Sequence, residues 1–326
     1  MNGTHSDTVP LEFGVPQGSV LGPILFSLYT QPIAELVEKN ECFYHKFADD
    51  TQIGNAGVPS DFGQVREKIE DCIDEVGNWM SCNRLKLNED KTEALKMGTK
   101  AKCKSVQCDR IKVGNSDIPF KPHVKNLGVY LDSNLDMTRQ VSHICSSTYL
   151  EIRRIGKIRK LLTLKTAKQL TCARVLSRID YGNALLAGTS KEQISRLQKV
   201  QNSAAKMILR KKRSDHAKPL LAELHWLPVE QRIQYKLSTL AYRHFEGSLP
   251  PYLSDRLITY VPARTLRSAS ESRLCAPIPN LKTAGERAFN YQASKTWNSL
   301  PIKVRQSKSL QSFKRSLKTH LFRSGN

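Results

Sequence analysis

Phe43-Tyr44-His45-Lys46-Phe47-Ala48-Asp49-Asp50-Thr51-Gln52-Ile53 is the stretch from which the rest of this chain is read. Aromatic and β-branched residues flank a short acidic centre, the pattern of strand, turn and strand. The turn is expected over Ala48-Asp49-Asp50-Thr51, because aspartate hydrogen-bonds its own backbone and so favours turns. Two adjacent carboxylates at a hairpin tip bring acidic oxygens into one small volume. Magnesium takes oxygen ligands, usually one or two carboxylates completed by substrate phosphates, and a pair of such ions clamps the attacking and leaving oxygens of a phosphoryl transfer. Taken alone, an Asp-Asp pair is more commonly an ordinary solvated turn.

Upstream, residues 12–23 read as a short strand entering a Gly/Pro-rich turn, Gly14-Val15-Pro16-Gln17-Gly18-Ser19-Val20-Leu21-Gly22-Pro23. A helix follows with Pro23 in its first turn, where a missing N–H costs nothing; Leu25, Leu28, Tyr29, Pro32, Ile33, Leu36 and Val37 predict a buried face. Downstream, Phe62, Val65, Ile69, Cys72, Ile73, Val76, Trp79 and Met80 keep a helical period over 61–82. Leu85 to Met97 predicts a turn and a strand, Ile111–Pro119 a small hairpin about Gly114-Asn115-Ser116, and Val124–Leu131 another strand closing at Asp132. From about Met137 helices dominate, over 137–160, 163–179, 191–210, 218–224, 229–246, 285–299 and 309–323, with an irregular connection rich in Pro, Ser and Arg over 247–284.

Charge divides the chain in the same way. Residues 1–100 carry 9 Lys and Arg against 16 Asp and Glu, whereas residues 101–326 carry 42 against 14, within a formal total of +21. So basic a second part repels itself unless a polyanion neutralises it, and nucleic acid is the common one. No run of about 18 apolar residues is present for a membrane span, and the polar N-terminus lacks the order of a signal peptide. An intracellular setting, nuclear or cytoplasmic, is expected. The eight cysteines form no C-x-x-C pair and read as free structural thiols.

GVPQGSVLGP at 14–23, followed by a helix and a strand ending in Phe47-Ala48-Asp49-Asp50, resembles the reverse transcriptases of non-LTR retrotransposons. The resemblance implies an α+β fold: a truncated right-hand polymerase palm over 1–136, a basic all-helical thumb over 137–215 and a helical C-terminal region over 216–326. It implies that Asp49 and Asp50 hold two Mg2+ ions, that Pro16, Gln17, Gly18 and Ser19 lie beside the templating base and incoming nucleotide, and that the partners are an RNA template, a DNA primer and dNTPs. Leu85-Lys86-Leu87-Asn88 with Lys91-Thr92 looks like the next palm motif, placing Lys91 near the leaving pyrophosphate as a proton donor or charge. Asn126-Leu127-Gly128-Val129-Tyr130-Leu131-Asp132 looks like the hairpin that grips the primer end, with Gly128 among the nucleic-acid contacts. Leu224-His225-Trp226-Leu227-Pro228, Leu249-Pro250-Pro251-Tyr252-Leu253 and Trp297-Asn298-Ser299-Leu300-Pro301 resemble the C-terminal region of jockey-like and chicken-repeat-like elements. The tail tryptophans are expected in a core rather than under stacked bases.

Arg210-Lys211-Lys212-Arg213 ends a helix. It reads as a phosphate contact, a nuclear signal or a solvated helix end, where cations suit the dipole. The resemblance also calls for a third carboxylate, on a palm strand and helix ahead of Gly14. Of the thirteen residues there, only Asp7 and Glu12 are acidic, and neither is a strand and a helix upstream. The expectation is therefore a chain inactive as a polymerase alone. The alternative is a non-catalytic RNA- or DNA-binding remnant.

Overall fold

The computed structural model describes residues 14, 18–262, 272–279 and 285–324. They fall into two compact units, one running to Lys96 and including Lys100–Pro122, the other comprising Met97–Thr99 and the chain from His123 onward. Helices mix with small antiparallel sheets, an α+β composition.

The first unit contains helices α1 (Gly22–Tyr29), α2 (Pro32–Lys39), α3 (Phe62–Cys82) and α4 (Lys100–Ser105), with hairpins β1 (Phe43–Phe47)–β2 (Asp50–Gly54) and β3 (Arg110–Val113)–β4 (Ser116–Pro119). The single helix expected after Pro23 is two, because Pro32 has no N–H and its ring clashes with the preceding turn; Thr30 closes α1 through its own N–H and hydroxyl, both donated to the Phe26 carbonyl. Only the second half of the expected apolar face is buried. Ile33 and Val37 of α2 pack with Cys42, Cys72 and Val76, whereas on α1 Leu25 is 48% and Leu28 62% exposed. A second small cluster, Ile111, Val113 and Ile118, packs on Ile69 and Ile73. Helix α3 thus serves both clusters, which is what its 21-residue apolar period provides for. The strand expected within 85–97 shrinks to one bridge, Ala94 to Phe120, because Asn88 caps a 3-10 turn at Glu89–Lys91.

In the second unit the expected strand over 124–131 is a hairpin, β5 (His123–Asn126) and β6 (Val129–Asp132). Its two-residue turn puts Leu127 at φ +44° and Gly128 at +83°, the left-handed pair that suits a tight hairpin. Helices follow: α5 (Thr138–Ile158), α6 (Leu164–Thr171), a π-helical turn (Cys172–Leu176), α7 (Ser177–Asp180), α8 (Lys191–Leu209), α9 (Ala217–Glu223), α10 (Val229–Phe245), α11 (Pro251–Ser254), α12 (Phe289–Asn298), α13 (Ile302–Arg305) and α14 (Leu310–Ser324). One core joins Val141 and Ile144 of α5, Leu197, Val200 and Ile208 of α8, Leu237 of α10, Trp297 of α12, and Phe313 and Leu317 of α14. Helices on both sides of residue 215 share it.

The tail motifs prove to be structural joints. His225, at φ +55°, stops α9. Gln201 Nε2 donates to the Leu227 carbonyl at 2.9 Å, and Gln198 Oε1 accepts the Val229 N–H at 2.8 Å, capping α10. Trp226 and Trp297 are core residues, as expected; Trp297 stacks on Phe245 and donates its indole N–H to the Ser272 carbonyl at 2.6 Å.

Candidate active site and nucleic-acid contacts

The β1–β2 register pairs Phe47 with Asp50, so the turn is Ala48-Asp49. It lies one residue earlier than the sequence suggests. The reason is Ala48, which adopts φ +54°, a conformation that the sequence would assign to Gly, Asn or Asp. Asp49 therefore sits at the tip, and Asp50 is the first residue of β2. Cross-strand partners share a face, so Asp50 projects with Phe43 and Phe47 from the exposed side of the hairpin, while Tyr44 and Ile53 turn to the core. Both carboxylates are exposed. The pair fits the one or two carboxylates that Mg2+ takes from a protein. Among the described residues no group of three or more His, Cys, Asp or Glu is placed to hold a metal.

Lys46, which sequence reading passed over, is half-buried on the inner face of this hairpin, with its Nζ shielded from solvent. Its ammonium lies 4.7 Å from the centre of the Phe26 ring, without a hydrogen-bond partner, and desolvation lowers its pKa. An isolated lysine next to an acidic turn gives no sequence signal for this; the cause is α1 folding over β1.

Gly18 adopts φ +86°, and nothing lies within 4 Å of where a Cβ would point. Its backbone is open to approach. Ser19 Oγ accepts the Gly22 N–H at 3.1 Å and so fixes the entry to α1. Pro16 and Gln17 lie outside the described residues. Lys91 is exposed on the 3-10 turn, its own N–H bonded to Asn88 Oδ1 at 3.1 Å. Gly128 is covered at its turn by Tyr181, whose hydroxyl donates to the Leu127 carbonyl at 2.6 Å.

The four-residue basic cluster is divided in its duties. Arg210 takes φ +53° at the end of α8 and donates to the carbonyls of Arg159 and Lys160 at 3.2 and 3.3 Å. The buried Arg159 in turn donates to the Ile208 carbonyl at 2.6 and 2.8 Å. These two arginines hold a helix C-terminus, whose carbonyls lack intrahelical donors. Lys211, Lys212 and Arg213 remain exposed.

A more elaborate basic site was invisible in the sequence. Glu151 of α5 is 3% exposed; its carboxylate accepts from Arg154 at 2.9 Å and Arg174 at 3.0 Å, and Arg178 lies 3.7 Å away. Burial pushes the Glu151 carboxyl up, but hydrogen bonds and charge from Arg174 and Arg154 outweigh it and hold it below its usual value. The signal was hidden because Arg174 and Arg178 come from a different helix.

Residues 1–131 match the family Reverse transcriptase (RNA-dependent DNA polymerase). Over this segment the chain is similar to reverse transcriptases. More narrowly, the curated relatives that it resembles are polymerases of the mobile element jockey and of the X-element transposon. It is 21% identical over 217 residues to the RNA-directed DNA polymerase from mobile element jockey of Drosophila melanogaster, a match covering 64% of this chain and 23% of that protein. The jockey polymerase of Drosophila funebris is 25% identical over 52% of this chain and 18% of its own length. The probable RNA-directed DNA polymerase from transposon X-element of Drosophila melanogaster is 24% identical over 60% of this chain and 21% of its own length. The chain thus spans about a fifth of the curated relatives that it matches. No solved structure matches.

Proposed function

We propose that this chain supplies the metal-holding hairpin and the nucleic-acid grip for RNA-directed DNA synthesis, and that Asp49 and Asp50 do not complete the metal site by themselves. The observation that carries the reading is the placement of Asp49 and Asp50, adjacent and exposed at the tip of a hairpin within the segment matching reverse transcriptases. In this reading they hold two Mg2+ ions, which when bound clamp the attacking and leaving oxygens of an in-line displacement. Pro16, Gln17, Gly18 and Ser19 border the templating base and the incoming dNTP. Lys91 approaches the pyrophosphate as a proton donor or charge, and the Gly128 turn holds the DNA primer end.

Two carboxylates without a third leave a pair of divalent ions under-coordinated. The further ligand has to come from polypeptide beyond the described residues or from a partner. The apolar surface of α1 and the two residues leading into it, with Val20, Leu21, Ile24, Leu25 and Leu28 exposed, is consistent with more protein packing there. A palm, a thumb beginning near residue 137 and a helical C-terminal region belong to the same proposal, as does a nuclear or cytoplasmic setting; no described helix is long and apolar enough to cross a membrane.

A second reading, a non-catalytic RNA- or DNA-binding remnant, is favoured by the excess of 42 basic over 14 acidic residues beyond residue 100. Manganese relaxation in the presence of an RNA·DNA hybrid and dNTP tests the metal claim. Nucleotide-dependent manganese binding that is lost in Asp49→Ala/Asp50→Ala supports the first reading. Equal binding by both forms removes the hairpin from the metal site.

A further inference from the structure

The connection between α5 and α6 leaves its large apolar side chains in water. Ile158 ends α5, and a 3-10 turn over Arg159–Leu161 leads to Thr163, whose hydroxyl accepts the Thr166 N–H at 3.2 Å and starts α6. Leu161 is 85% exposed, and Ile158 and Leu164 are each 43% exposed. The buried residue of this turn is instead Arg159, whose guanidinium donates to the carbonyls of Ile208 and Leu162. Arg210 reaches back from the end of α8 to the carbonyls of Arg159 and Lys160. The connection and the end of α8 are thus fastened in both directions.

Between these two segments lies an open groove of about 460 Å³, within the range of roughly 300–1,000 Å³ usual for binding clefts. Its apolar lining is Leu162, Leu164, Ile208 and Leu209, and its rim carries Lys211 and Glu223. The hydrogen bonds that shape it are already made, so an occupant need not order it first. Residues 157–165 and 206–213, which form its two sides, hold nine Lys and Arg and no Asp or Glu. Arg159 and Arg210 are committed to carbonyls, whereas Lys160, Lys165 and Lys211 are exposed. Phosphodiester would match these lysines but leave the leucines uncovered, and no aromatic ring lines the groove to stack a base. A bilayer would cover the leucines but is flat where the groove is concave. An amphipathic helix satisfies both features, because it lays apolar side chains one turn apart into a groove and turns its charges to the rim.

We propose that this groove docks an acidic amphipathic helix of a partner protein. Leucine-sized side chains of the partner pack on Leu164 and Leu209 within the groove and on Leu161 beside it, and its carboxylates face Lys160, Lys165 and Lys211. Complementary charge brings the partner in and selects it, and the apolar anchors hold it. Glu223 repels a carboxylate from its own part of the rim, which gives the bound helix a preferred direction. The site goes beyond the proposed function and depends on neither the metal hairpin nor the nucleic-acid grip.

The test uses the full chain and a fluorescein-labelled helical peptide built from repeats of Leu-Glu-Glu-Leu-Leu-Glu-Glu. A second peptide has Ala for every Leu and the same charge, so it reports attraction to a basic surface alone. Fluorescence anisotropy should show the leucine peptide bound about tenfold more tightly than the alanine peptide, and Leu161→Ser/Leu164→Ser should abolish that preference. Lys160→Gln/Lys211→Gln should weaken the leucine peptide severalfold and flatten its salt dependence. Both leucines are exposed, so their replacement leaves the core intact, which circular dichroism checks. Equal binding of the two peptides, or a preference that survives in Leu161→Ser/Leu164→Ser, would overturn the docking groove. A leucine variant that instead loses affinity for phosphatidylserine vesicles would overturn it in favour of a lipid surface. One that loses binding to an RNA·DNA hybrid would overturn it by assigning these leucines to the nucleic-acid grip. Hybrid binding by the native chain is measured separately, so failure of the groove leaves the proposed function standing.

Discussion

The two units solve opposite problems. In the first, two small clusters around α3 support two-stranded hairpins, and large apolar side chains stay in water: Phe47 is 61% exposed, beside the carboxylates. In the second, helices from residue 138 to residue 324 share one continuous core, finished by Tyr242 stacked on Phe313 at 4.4 Å. The unit that carries the candidate chemistry is thinly packed and acidic in composition; the unit that carries positive charge is thickly packed. On the proposed reading, the acidic hairpin calls for further protein to hold it rigid, whereas the basic helices are already packed on a shared core.

This contrast breaks most readily at the shared core. Trp297→Ala should cost about 3–5 kcal/mol through the cavity it leaves, unfolding the helical unit early in a urea titration while the signal of Trp79 in the first unit changes independently. A single transition reported by both regions would mean that the units are not energetically separate.

Glu151→Gln sharpens the contrast on the basic side. The change adds positive charge to an already cationic surface, so a purely electrostatic surface would bind an RNA·DNA hybrid more tightly. If Glu151 positions the arginines, binding weakens severalfold instead, and a titration at fixed salt distinguishes the two.

Cysteine reactivity compares two positions of one helix. Burial, reinforced by neighbouring Cys42, pushes the Cys72 thiol up to about 12. At pH 8 it stays protonated, and maleimide should label Cys82 rapidly and Cys72 only after unfolding. Prompt labelling of Cys72 in the folded chain would show that the small cluster opens readily. The smallest effect is expected at the turn. Ala48→Gly relieves a left-handed alanine worth about 1–2 kcal/mol but adds unfolded-state freedom worth about 0.5–1 kcal/mol, for a net gain of roughly 0.5 kcal/mol, seen as a small rise in the first unit's denaturation midpoint.

What was legible in the sequence follows the same division. Helices with a long apolar period, α3, α5, α8, α10 and α14, were read to within a residue or two, because their packing face is written into local spacing. Turns were harder. Ala48 and Leu127 occupy left-handed positions that composition assigns to Gly or Asn, so one turn shifted by a residue and one hairpin read as a strand in its local pattern, the hairpin being visible only through the family resemblance. Asp49 and Asp50 could be singled out because they are adjacent in the chain and follow the 14–23 motif at the spacing that the resemblance calls for. Glu151 with its arginines could not, since the site exists only once α5 and the π-helical turn are packed together.

Primer extension on poly(rA)/oligo(dT) with magnesium, comparing the folded 326-residue chain with its Asp49→Ala variant, tests the central claim most directly. The account predicts salt-dependent binding of the hybrid by both and extension by neither, because two carboxylates do not complete the metal site. Extension by the native chain that disappears in Asp49→Ala would contradict it, showing that the carboxylates present suffice for catalysis.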